Sequence, residues 1–168
     1  MDEAPAVLTF AKWVEQTGVA LLVRESLWGF QLTVGAHILG MILSAGTVVW
    51  LDLRLLGVSM RRVPVSVVYR QIMPWAFAGF AVALVTGTLL LVAYASAAYE
   101  NVYFRIKAAA LVLAAVNALV YHTTVERRIS EWDALTRPPL AARLAGLCSI
   151  ILWTCVILMG RMTGYTLY

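Results

Sequence analysis

The run SLWGFQLTVGAHILGMILSAGTVVWLDLRLLG, from Ser26 to Gly57, limits what this chain can fold into more than any other stretch. Between Glu25 and Asp52 it carries no formal charge apart from a proton that His37 can take up. A helix needs about 20 apolar residues to cross about 30 Å of hydrocarbon, and this run is longer. Near its middle stands His37, an ionisable group where such groups are expensive and have a partner or a task. Thr33, Gly40 and Ser44 lie four before, three after and seven after it, a stripe of small and weakly polar residues on one helix face. Leu32, Leu39, Leu43 and Trp50 fall on the opposite, lipid-facing side. Such a stripe suits either the close approach of a second helix or the flat approach of a cofactor.

Composition agrees with a membrane chain. Of 168 residues 62% are hydrophobic and only 13% charged, against about 25% charged in soluble domains. The sequence predicts an all-α integral membrane protein, a four-helix up-down bundle forming a single domain over residues 1–168. Residues 5–16 form a short amphipathic helix lying in the interface, its apolar side built from Ala6, Leu8, Phe10, Trp13 and Val14. Gly18 ends that helix. The spans are expected at about 26–51, 74–94, 104–125 and 140–160. Pro74 opens the second span in its first turn, where helices tolerate proline, and Arg161 stops the fourth. Tyr165 and Tyr168 belong to an aromatic interface belt. No internal repeat is visible, and the acidic start lacks the pattern of a cleaved signal, so the first span is expected to be an uncleaved anchor.

Sidedness follows from basic residues. The loops 52–73 and 122–143 hold eight arginines, whereas the other face holds Lys12, Arg24, Arg105, Lys107 and Arg161. The two longer loops are therefore expected in the cytoplasm, with both termini periplasmic. The pI of about 9.3 reflects these loops. Without basic patches interleaved with exposed aromatics, nucleic acid is not an expected partner.

Candidate chemistry rests on few residues. His37 and His122 are the two histidines, and neutral imidazole is a ligand for haem iron and for copper. Their depths differ: His37 stands fifteen residues before Asp52, His122 four before Glu126, at the same face. On upright helices the two rings are about 16 Å apart in depth, which opposes one haem clamped by both. Met41 sits on the helix of His37 and cannot reach the opposite side of such a group, whereas Met73 or Met159 could. The blander alternative has His37 bonding a neighbouring helix through Thr86 or Thr88, and His122 reaching water. Arg105, Lys107 and Arg161 line the outer mouth and suit haem propionates or lipid phosphate.

Cys148, Cys155 and Met159 step by seven and four along one face of the last span, soft ligands that select Cu(I) or simply fill a core. The two cysteines are about 10 Å apart along the helix, too far for a disulfide. Asn117 is expected to bridge two helices. No nucleophile–base pair, phosphate loop, paired carboxylates or zinc spacing appears, which leaves hydrolase and transferase chemistry without residues.

The strings RESLWGF, AHILG, VVWLDLRLLG, FRIKAAALVLAAVNALVYH and WTCVILMGRMTGY resemble an uncharacterised family of small bacterial inner-membrane proteins, over about residues 24–165. More loosely, four helices with intramembrane histidines are similar to cytochrome b561-type proteins and to the copper-resistance membrane protein CopD. That likeness implies haem- or copper-linked work in the cytoplasmic membrane and carries over only to His37 and His122. Three readings stand at this point. The first is a haem b-binding subunit passing electrons between quinone and a periplasmic partner. The second is a copper-handling protein using His37, Cys148, Cys155 and Met159. The third is a cofactor-free structural subunit of a larger membrane complex, or a homo-oligomer.

Overall fold

A computed structural model describes residues 6–133 and 135–167, and among them the regular elements are all helical. Two short helices, α1 (Ala6–Val14) and α2 (Gly18–Glu25), precede the bundle and meet at 67°. Pro5 and Tyr168, the ends of two sequence-based expectations, lie outside the described residues. The first span is α3 (Gly29–Leu55) and the second α4 (Val65–Ala93). A short α5 (Ala95–Glu100) leads into α6 (Val102–Val120), which runs on through a π-helical turn (Tyr121–Val125) and a 3-10 turn (Glu126–Arg128) into α7 (Ile129–Trp132). The last span is α8 (Leu140–Leu167). Four runs, 29–55, 65–93, 102–132 and 140–166, are long and apolar enough to cross a bilayer, and the chain is a multi-pass α-helical membrane protein.

The boundaries differ from the sequence reading in four places, each for a physical reason. Gly18 does not end a helix but begins one, because the Thr17 hydroxyl accepts the Ala20 N–H and caps α2. The first span continues past Asp52 to Leu55 because Arg54 is fully buried and bonded, so the charge does not force the chain into water. Pro74 lies inside α4, about two and a half turns beyond a start that has Pro64 at its N-cap. Arg161 does not stop α8: its Nη2 donates to Tyr165 Oη at 2.7 Å and its guanidinium stacks 4.3 Å from that ring, one turn on.

Packing within the bundle is uneven. α3 and α4 cross most closely where Gly79 of α4 meets Gly40 and Ser44 of α3. A Cβ built on Gly79 would lie 2.5 Å from the Ser44 nitrogen and 2.8 Å from the Gly40 oxygen. α6 packs on α8, and α8 on α3, but α4 and α6 stand apart. The tightest core lies at the end carrying the arginine-rich loops, where Leu51, Leu55, Val65, Val68, Tyr121, Trp132 and Ala142 are buried together. Two polar devices close that end. Arg54 Nε donates to Val63 O at 2.7 Å and Nη2 to Leu135 O at 3.1 Å, tying both loops to α3. Asp133 accepts the Ser66 N–H at 2.7 Å and the Ser66 hydroxyl at 2.6 Å, so it caps the N-terminus of α4 from another loop. At the opposite end the Ser96 N–H and hydroxyl both donate to Glu15 Oε1 at 2.7 Å, fastening α1 to the α4–α5 corner.

Candidate functional site

The gap between α4 and α6 is the mouth of a cavity of about 590 Å³ enclosed by all four spans. That is within the range of cofactor pockets. It runs from Met73 to Leu91 along α4 and from Phe104 to His122 along α6, about 27 Å of helix in each case. Phe77 and Val112 line it and are 60% and 63% exposed, so the cavity opens sideways towards lipid rather than towards water. Its wall is apolar along most of this length, with polar groups gathered at the two ends.

At one end stands His37. Its Nδ1 is 2.9 Å from Ala83 O and 3.1 Å from Thr86 Oγ1, both on α4. The Thr86 hydroxyl is itself spent on Val82 O at 2.6 Å, so both partners of Nδ1 act as acceptors and Nδ1 carries the proton. In the neutral ring Nε2 then holds the lone pair, and no partner bonds it among the described residues. Gly87 makes this possible: a Cβ there would stand 2.9 Å from His37 Cε1. The expected bond to a neighbouring helix through Thr86 is thus present, and it leaves Nε2 available. Lys107 is half-buried, lines the same end, and is the cation whose field reaches His37. Its stem lies against Gly160 of α8, with Nζ 3.4 Å from where a Cβ would be, and it forms no ion pair among the described residues.

At the other end are Asp52, Ser149, Asn117, Tyr121 and His122, all lining the cavity. Asp52 is 4% exposed, has the Ser149 hydroxyl in hydrogen-bonding reach, and its Oδ2 has no partner. Tyr121 is 5% exposed, and its hydroxyl also has none. Asn117 Nδ2 donates to Ala145 O at 3.0 Å and joins α6 to α8, as its position in the span predicts. His122 Nδ1 is bonded to Glu126 one turn on, and its ring meets those of Tyr69 and Tyr121 edge-on. A π-helical turn carries both His122 and Tyr121, a local irregularity frequent at functional sites.

The structure therefore separates the sequence candidates. His37, Ser44, Lys107 and His122 line one cavity, but fifteen residues of α6 part Lys107 from His122, about 22 Å of helix. The two histidines occupy opposite ends, as their positions relative to the shared membrane face predict. Gly40 is filled by the α3–α4 crossing and gives a cofactor no approach. The Thr33 hydroxyl donates to Gly29 O at 2.7 Å, away from the cavity wall. Arg105 and Arg161 are exposed and outside the lining, the latter held by Tyr165. Cys148 is exposed, Cys155 and Met159 half-buried, and none of the three lines the cavity. No three of His, Cys, Asp and Glu come together as a metal-holding group among the described residues.

Two residues that sequence reasoning passed over complete the site: Asp52, which marks only the end of a span in the sequence, and Tyr121. A signal for both existed. Asn117 on α6 and Tyr121 in the π-helical turn that follows are one turn apart, and Asp52 is a carboxylate inside a helix otherwise free of acids.

Comparison with curated proteins and with solved structures finds no match to this chain. A family model does match, over residues 10–166, nearly the whole of the described structure. By that match the chain belongs to DUF6644, a family of unknown function.

Proposed function

We propose that the protein is a haem b-binding electron-transfer subunit of the bacterial cytoplasmic membrane, in which His37 would hold the haem iron. The observation that carries this reading is the His37 ring, with its Nδ1 proton fixed on Ala83 O and its Nε2 left free in a cavity open to lipid. A metal-ligating histidine characteristically donates its other N–H to a backbone carbonyl, which fixes the ring and raises the basicity of the ligating nitrogen. The residues present fit a flat macrocycle: Gly87 lets the imidazole lie back against α4, and the facing wall of α6 is built from Ala108, Ala114, Ala115 and Ala118. Lys107 supplies a cation without an ion-pair partner among the described residues, and a propionate is the natural counter-charge. Haem bound there would supply one-electron chemistry at a potential set by its axial ligand and its burial.

The protein's part is to hold the imidazole neutral and oriented and to exclude water. His122 stands at the far end of the cavity and takes no part in the same ligand set. The basic loops lie in the cytoplasm and both termini in the periplasm on this reading. Electrons pass between quinone, which reaches the lateral mouth from the bilayer, and a periplasmic partner, within a larger membrane complex or an oligomer.

The test is an ultraviolet–visible spectrum of haem-replete protein in detergent, oxidised and then dithionite-reduced, beside His37→Ala. The proposal expects a Soret band that shifts on reduction and is lost in the variant. A flat visible spectrum from folded, haem-replete protein would sink it. Metal analysis then separates a copper-handling protein from a cofactor-free scaffold.

A further inference from the structure

We infer that the end of the cavity around Asp52 and Tyr121 is a second, separate ligand site, which takes the hydroxylated aromatic head group of a long-tailed bilayer amphiphile such as a quinol. Two buried polar atoms with no partner face this end: Asp52 Oδ2, which can only accept while ionised, and the Tyr121 hydroxyl. Folded proteins pair such atoms, and an apolar membrane cavity makes leaving them bare more expensive still. A ligand hydroxyl can donate to Asp52 Oδ2, and a ligand oxygen can accept from Tyr121.

The remainder of the cavity suits an apolar tail: between its polar ends the wall is built from residues such as Phe77, Phe80, Leu84 and Leu111. The side opening past Phe77 lets a tail pass to the bilayer without crossing the His37 end.

This site deepens the electron-transfer reading by giving its quinol a seat. It is tested without haem, because Asp52 lies about 22 Å from His37 along α3. The experiment titrates detergent-solubilised full-length protein with decyl hydroquinone and, separately, with its dimethyl ether, by calorimetry. The hydroquinone should bind, and the ether should bind at least about tenfold more weakly, since it has no proton to give Asp52. Asp52→Asn and Tyr121→Phe should each weaken the hydroquinone by about tenfold, and Gly46→Ala, outside the cavity and with nothing within 4 Å of the added Cβ, should leave its binding unchanged. Equal binding of the ether to the unaltered protein would overturn the assignment whatever the variants do. So would failure of the hydroquinone to bind, or both Asp52→Asn and Tyr121→Phe binding it as the parent does. A hydroquinone that binds as expected to a protein showing no Soret band would remove the haem reading alone.

Discussion

His37 on α3 donates its Nδ1 proton across the helix interface to the carbonyl oxygen of Ala83 at 2.9 Å. That carbonyl is four residues before Gly87 on α4, and the missing side chain of Gly87 is what lets the imidazole lie against the helix. A Cβ at this position would come within 2.9 Å of Cε1 and 3.3 Å of Nδ1, so the ring has to move. Gly87→Ala is expected to lengthen or break the Ala83 bond and to cost about tenfold in haem affinity, in line with the loss of other outer-sphere partners of metal-bound histidines. Haem titration of the apoprotein measures it. Thr86→Val, which removes the weaker of the two acceptors, should cost less, and the order of the two effects is the check on the assigned tautomer.

A second glycine pair works through backbone rather than through a ring. A Cβ on Gly79 meets Ser44 N at 2.5 Å, Gly40 O at 2.8 Å and Leu43 C at 3.0 Å, all main-chain atoms that cannot swing aside. Gly79→Ala must therefore push α3 from α4, and a destabilisation of about 1–3 kcal/mol is expected. Gly46 has nothing within 4 Å of its Cβ position, so Gly46→Ala is the control that should leave thermal unfolding in detergent nearly unchanged.

Those glycines mark where sequence reading succeeds and where it stops. The four spans, the His37 stripe and the Asn117 bridge are legible because hydrophobic run length and helical spacing act locally. The division of labour within the stripe is not. Whether Gly40 receives a helix or a ligand depends on which residue of α4 arrives opposite, and that is Gly79, thirty-nine residues away. The same holds for Asp52. A lone carboxylate at the end of an apolar run reads as a span boundary until Arg54, two positions on, is found buried beneath two loops. Arg161 misled in the opposite sense, since a guanidinium one turn from a tyrosine can stay on its helix without stopping it. The separation of the two histidines, by contrast, followed from counting residues to a common face, because rise per residue is fixed by geometry.

Arg54 carries the next expectation. It is fully buried, and its guanidinium is the donor for Val63 O at 2.7 Å and Leu135 O at 3.1 Å. Hydrogen bonds from a charged donor are worth about 1.5–3 kcal/mol each, and truncation also strands two buried carbonyl groups. Arg54→Ala should lower stability by about 3 kcal/mol or more and loosen both basic loops, which limited proteolysis from the face that carries them would detect. Arg54→Lys keeps the charge but presents one point donor in place of a planar fork, so it should recover only part of the loss.

The capping of α4 by Asp133 predicts a pH dependence with a definite sign. Burial by itself works to raise the Asp133 pKa, but the Ser66 hydroxyl, the N–H groups of Ser66 and Val65, and the Arg54 charge outweigh it and hold the carboxyl below its ordinary value of 3.8. A carboxylate whose pKa is lower folded than unfolded binds fewer protons in the native state near that value, so stability falls as pH drops. The contribution is complete above the unfolded value, about pH 4, and is lost as pH descends through the lower folded value. Thermal unfolding in detergent from about pH 6 to about pH 3 should show a steeper acid loss for the parent than for Asp133→Asn. At neutral pH the variant should already be less stable, because an amide returns only part of the charge-assisted bonding to the α4 N-terminus. Parallel acid limbs for the two proteins would mean that Asp133 holds no depressed pKa and that the cap is not charged. Ser66→Ala separates the two contributions, since it removes the hydroxyl at 2.6 Å while keeping the N–H at 2.7 Å. It should reduce the acid sensitivity without abolishing it.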